Sequence, residues 1–162
     1  MELHLFNTTD RDFIKHLSVL FLSYKKRNIS KSYAKSAMAL CVSDTAKIGI
    51  DIEEEKERSL QTMEHFVKKF ITFQVKKMPS QLDVQWFYKA WTAMESYFKL
   101  DGAGFGTPKD FVLDLEQKSI WRDGREVAWI NHFDVGNFLI CICSDTPFLK
   151  NDVKLSYHGW ED

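Results

Sequence analysis

Asp51 and Glu53 lie two residues apart in Ile48-Gly49-Ile50-Asp51-Ile52-Glu53, an apolar run suited to a β-strand. Side chains alternate across a strand, so both carboxylates point to one face while Ile50 and Ile52 point to the other. Glu95 and Lys99 are four apart in a segment of helical periodicity and therefore share a helix face. Three carboxylates and one ammonium, if they converge, suit a hard divalent cation bound to phosphate oxygens, the apparatus of phosphoryl transfer. Each element also has a plainer reading. The strand could merely lead into the solvated run Glu54-Glu55-Lys56-Glu57-Arg58, although the interleaved isoleucines set Asp51 and Glu53 apart from it. Glu95 and Lys99 could be an ordinary i,i+4 pair contributing roughly 0.3–0.5 kcal/mol. Trp91 reads as a packing residue of the same helix.

Other chemistry-bearing positions are less specific. Ser30 and Ser32, in Asn28-Ile29-Ser30-Lys31-Ser32, read as a short polar stretch ahead of a strand, either an anion-binding loop or a plain turn. Lys25, Lys26 and Arg27 sit at the C-terminus of a first helix, where the dipole favours cations. The Gly102–Gly106 stretch follows a helix instead of opening one, so it lacks the N-terminal dipole of a phosphate cradle and reads as a helix stop. His4, His16, His65, His132 and His158 show no metal-ligand spacing, and no nucleophile elbow or Walker loop is present.

The elements that must position these residues follow from periodicity. Residues 2–6 alternate as a first strand; Thr9 and Asp12 suggest a capping box for a helix carrying Phe13, Ile14, Leu17, Leu20, Phe21 and Tyr24. Residues 36–43 and 47–53 read as strands joined by a turn at Asp44-Thr45. Ser59 caps a helix that carries Met63, Phe66, Val67 and Phe70 inward, and Pro79 falls in the loop beyond it. A longer helix from about Leu82 to Leu100 buries Phe87, Ala90, Met94 and Phe98 and stops at Gly102. Strands follow at Phe111–Leu115, around a hairpin at Asp123-Gly124, and at Phe138–Cys143. The class is α+β.

Bulk properties agree with a folded globular chain. Its 162 residues are 44% hydrophobic, with thirteen Phe and five Trp. A chain of that size buries roughly 70% of its unfolded surface. The net charge of −1 offers nothing to nucleic acid, so an anionic substrate must be held by local Lys or Arg and by metal. An odd cysteine count, with Cys141 and Cys143 two apart on one strand, points to reduced core thiols and a cytoplasmic setting. No signal peptide or membrane-spanning run is legible, so no membrane partner is expected.

Taken in order and spacing, Asn-Ile-Ser-Lys-Ser, Gly-Ile-Asp-Ile-Glu, Phe87-Tyr88-Lys89-Ala90-Trp91-Thr92-Ala93-Met94-Glu95-Ser96-Tyr97-Phe98-Lys99 and Gly-Ala-Gly-Phe resemble the 4'-phosphopantetheinyl transferases. The match is nearer to their surfactin-synthetase-activating, pseudo-twofold branch. The resemblance runs from about Asn28 to Tyr157. It implies one domain over 1–162 with two pseudo-symmetric α/β halves, a reduced N-terminal one over about 1–46 and a C-terminal one over about 47–157. It further implies transfer of 4'-phosphopantetheine from coenzyme A to a serine of an apo acyl or peptidyl carrier protein. Asp51, Glu53 and Glu95 would hold Mg²⁺; Glu95 would be the base; Lys99 would stabilise the departing phosphate; Ser30 and Lys31 would touch coenzyme A phosphates.

The chain departs from that family's pattern at three points. Met94 stands where the family usually has Lys, and Lys31 where it commonly has His. The N-terminal half is about half the usual length, so residues 1–27 have no counterpart to a basic segment and a Gly-Lys-Pro loop around the nucleotide. Lys25, Lys26, Arg27, Lys31 and Lys35 could substitute, or a homo-oligomer could complete the site. Two competing readings stand beside the enzyme: a catalytically impaired transferase fold that binds or regulates carrier proteins, and a metal-dependent phosphohydrolase or nuclease.

Overall fold

Alternation along one strand sets the layering of the whole molecule. The computed structural model describes residues 1–24, 27–102 and 110–160. In β4 (Ile48–Glu54), Ile48, Ile50 and Ile52 enter a core between two sheets, while Gly49 and Asp51 face a helix. The first sheet has the order β2-β3-β1-β9, from β1 (Glu2–Asn7), β2 (Asn28–Ala34), β3 (Ala37–Ser43) and β9 (Lys154–His158). The second runs β4-β8-β7-β6-β5, with β5 (Val112–Asp114), β6 (Ser119–Arg122), β7 (Arg125–Val135) and β8 (Phe138–Ser144). All pairings are antiparallel except β1 with β9.

The middle of each sheet is covered on both faces, which is why β3 and β8 are buried at every residue and read as unbroken apolar runs. Between the sheets, Leu3, Leu5, Ala39 and Cys41 meet Ile50, Ile52, Ile140 and Ile142. Helix α1 (Phe13–Ser23) lays Phe13, Leu17 and Leu20 over Phe6, Met38 and Leu40 on the outer face of the first sheet. Helix α3 (Val84–Asp101) lays Phe87, Ala90, Met94 and Phe98 over Leu139, Cys141 and Cys143 on the outer face of the second, joined there by Met63 of α2 (Leu60–Phe66). Each sheet also repeats one local order. A strand leads to helix, and a later hairpin returns its second strand beside the first, β3 on β1 and β8 on β4. This is the α+β architecture expected. The chain then closes on itself: β9 pairs with β1, and His158 Nε2 lies 3.0 Å from His4 Nδ1 across that seam.

Local signals held where backbone chemistry decides the outcome. Ser59 Oγ accepts the Thr62 amide at 3.2 Å, Asp83 Oδ1 accepts that of Trp86 at 2.7 Å, and Gly102 ends α3 at φ 72°. Asp123 and Gly124 both take positive φ, 51° and 72°, as the β6–β7 turn requires. The turn at Asp44-Thr45 joins two strands as expected, and it carries the chain from one sheet to the other. Three expectations need correction. Asp12 occupies the N-cap of α1 without a side-chain bond, and Thr9 is instead held by Asn7 Oδ1. Asn28–Ser32 is the body of β2, not a loop before a strand. Arg27 is no solvated helix end, since it ion-pairs with Glu2 at 2.7 Å and with Asp44. Lys25, Lys26 and the 103–106 part of the glycine-rich stretch lie outside the described residues. Among the described residues no helix is long and apolar enough to cross a membrane.

The seat of α3 on β4 rests on Gly49. A Cβ built there would lie 1.9 Å from Ser96 O and 2.6 Å from Leu100 N, both backbone atoms. Gly49→Ala therefore forces the helix off the strand, with an expected loss of about 3 kcal/mol or more in urea unfolding. Unfolding at the native midpoint would show that the helix can shift freely.

Candidate active site

Two sheet edges meet at the site. β4 is the edge of the second sheet and β2 the edge of the first, and β2 covers the exposed flank of β4 with side chains instead of a ladder. Ser30 Oγ accepts the Ile50 amide at 3.1 Å, and Ser32 Oγ donates to Asp51 Oδ1 at 2.9 Å. Lys99 comes from α3 to complete the cluster, its Nζ donating to Ser32 Oγ and Asp51 Oδ1, each at 2.8 Å. Asp51 is 5% exposed, and its second oxygen, Oδ2, is buried without a hydrogen-bond partner. An orphaned carboxylate oxygen in such a place costs desolvation energy that one ammonium on the other oxygen only partly offsets.

Glu53 and Glu95 extend the acidic row. Glu53 Oε1 accepts the Trp91 indole N–H at 3.3 Å, and the same indole is stacked on Phe87 and edge-on to Phe66 and Phe70. Trp91 thus packs the helix, as expected, and also aims an acid. Burial raises the pKa of Asp51 despite Lys99 and Ser32. Burial also raises Glu53, and the Asp51 charge adds to it. Glu95 is raised by burial, then by Asp51 and further by Glu53. All three acids therefore sense one another's charge, a state that a divalent cation relieves and that marks functional sites. Among the described residues no three His, Cys, Asp or Glu side chains are gathered as a preformed metal cage. The donor chemistry still fits a hard cation, since all three offer carboxylate oxygen and Asp51 Oδ2 has no other partner.

The other sequence candidates fall differently. Ser30 holds the β4 backbone, and Lys31 is exposed on the opposite face of β2, its ammonium 6.0 Å from the Phe21 ring and 5.8 Å from Tyr33. Met94 is 2% exposed in the core, so the side chain at this position points away from the acids. Sequence reading missed Ser32 as a member of the cluster; its alternation with Ser30 was the available signal. It also missed Arg58, whose side chain the hydroxyl of buried Tyr88 anchors at 2.9 Å.

The family model described as the 4'-phosphopantetheinyl transferase superfamily matches residues 47–143, the span from β4 through β8 that carries Asp51, Glu53, Glu95 and Lys99. The chain belongs to that superfamily. It is similar, at 29% identity over 136 residues, to 4'-phosphopantetheinyl transferase Sfp of Bacillus subtilis strain 168, covering 79% of this chain and 58% of that one. A 4'-phosphopantetheinyl transferase of Bacillus subtilis matches at 28% over 124 residues, covering 72% of this chain and 54% of the other. The chain thus spans somewhat more than half the length of these curated relatives.

The shifted carboxylates make stability depend on pH in a stated direction. An acid whose folded pKa lies above its unfolded value keeps its proton longer in the folded state. Stability therefore falls as pH rises from the ordinary range near 4 through the raised values, and stays lower above them. Glu95→Gln removes one of the repelling charges. In urea titrations it should flatten that decline and, after solvent screening, raise stability at neutral pH by a few tenths of a kcal/mol. A pH profile superimposed on the native one would mean that the three acids do not interact.

Proposed function

We propose that the chain is a holo-carrier-protein synthase, moving 4'-phosphopantetheine from coenzyme A to a serine hydroxyl of an apo acyl or peptidyl carrier protein. The observation that carries this reading is the unrelieved acidic row, with the orphaned Asp51 Oδ2, on the segment that matches the transferase superfamily. Asp51, Glu53 and Glu95 would hold Mg²⁺, which supplies charge neutralisation at the diphosphate when bound. Glu95, half-buried and with its pKa raised, accepts the serine proton as the serine oxygen bonds to the β-phosphorus. The bond from that phosphorus to the bridging oxygen breaks, and adenosine 3',5'-bisphosphate leaves. Lys99 offers its ammonium to the leaving phosphate, and Ser32 positions Lys99 and Asp51 through one shared hydroxyl. Ser30 acts by fixing β4, and Lys31, on the other face of β2, has no part in the transfer step.

Free, buried Cys41, Cys141 and Cys143 support a reducing, cytoplasmic setting. The competing reading is a catalytically impaired member of the same fold that binds or regulates carrier proteins without transfer. Incubation with coenzyme A, Mg²⁺ and apo carrier domains, followed by intact mass, separates the two. The native chain should add one phosphopantetheine, chelation of Mg²⁺ should stop the transfer, and Glu95→Gln should slow it by about 10²–10⁴. Lys99→Ala should slow it by about 10²–10³. Carrier affinity without any mass gain, while a known transferase succeeds in parallel, would leave the binding module.

A further inference from the structure

Arg58 holds a cation at the opposite end of the acidic row from Lys99. Tyr88 is fully buried in α3, yet its hydroxyl reaches the loop beyond β4, accepting the Lys56 amide at 3.2 Å and the Arg58 Nε–H at 2.9 Å. The guanidinium carbon lies 5.3 Å from the Tyr88 ring centre and 5.6 Å from that of Phe87. A hydroxyl and two aromatic faces therefore fix this side chain, although the residue is exposed. Its Nη groups make no hydrogen bond or ion pair with the described residues. Lys99, by contrast, is already engaged by Ser32 and Asp51.

Tyr88, Trp91, Glu95 and Lys99 follow one another at helical spacing along one face of α3, a rise of about 16 Å. Their partners follow the same order, with Arg58 on Tyr88, Glu53 on Trp91 and Asp51 on Lys99. The positive charge of Arg58 already acts on Glu53. We propose that Arg58 binds phosphate oxygens of the substrate above the Glu53 end of the acidic row, with Tyr88 as its positioning residue. For the identity of that substrate, the diphosphate of coenzyme A, this rests on the transferase reading. Phosphate is favoured over an acidic protein surface because a small divalent cation is commonly shared between one or two protein carboxylates and substrate phosphates, and Glu53 lies beside Arg58 in this row. A planar fork held in advance suits two phosphate oxygens and loses little freedom on binding. Arg58 thereby supplies a cation that position 94, turned into the core, does not.

Calorimetric titration of the full chain with inorganic pyrophosphate and with coenzyme A, each with Mg²⁺, tests this. Arg58→Ala should weaken both by about tenfold or more, at an unchanged unfolding midpoint. Arg58→Lys should recover only part of the loss, because a point charge replaces the fork. Tyr88→Phe keeps the ring and the guanidinium but should also weaken both probes and, in transfer assays, raise KM for coenzyme A more than it lowers kcat. Pyrophosphate affinity independent of Arg58, native protein that binds neither probe, or a rise in KM for the carrier alone would each overturn the proposal. Pyrophosphate binding that depends on Arg58 in a chain that transfers nothing would sink the transferase reading and leave this one standing.

Discussion

Everything at the site depends on how closely the backbone of α3 lies against β4. That approach exists because Gly49 has no side chain and the small, fully buried Ser96 faces it. Ser96 in turn hydrogen-bonds back to Ala93 O at 2.9 Å and touches Cys141 Sγ at 3.4 Å, so the contact point is polar, satisfied and thin. With the two backbones this close, side chains two residues beyond Gly49 and one turn beyond Ser96 along α3 must share the same space. Asp51 and Lys99 meet for that reason, not because either attracts the other across a cleft. Packing sets the geometry, and electrostatics then works within it.

The second constraint is the meeting of two sheet edges. An edge strand normally exposes unpaired amides, and β4 resolves this by lending one to a serine hydroxyl from β2. The cost of orienting β2 for that purpose is repaid at Ser32, two residues on, which points the same way and couples the acid to the base. One strand, through its alternate residues, both seals an edge and builds part of a site.

How much of this the sequence disclosed follows from which contacts are local. Asp51 with Glu53, and Glu95 with Lys99, were legible because strand and helix periods place them without any knowledge of the fold. The same helical phase put Met94 on the stripe of Phe87, Ala90 and Phe98, and the structure keeps it there, so its identity bears on the core and not on the charge of the acidic row. Arg58 was not legible, since its partner Tyr88 comes from an element that meets it only in three dimensions, while Ser32 left a single trace, its alternation with Ser30. The turn at Asp44-Thr45 looked like any connection between strands; nothing in its residues says that the chain changes sheets there. The polar composition of Asn28–Ser32 suggested a loop, but a strand that packs against another edge has use for small hydroxyls.

The pairing of β9 with β1 bears on the order in which the chain can mature. His4 and His158 meet across 154 positions of sequence, among the longest separations the fold allows. Closing so long a loop is entropically slow, and contacts of high sequence separation retard folding. During synthesis, β1 leaves the ribosome early and waits with one flank bare until residues 154–158 emerge. Over that interval, the second sheet and its helix can already consolidate, and the waiting strand is where a chaperone or a neighbouring nascent chain would find purchase.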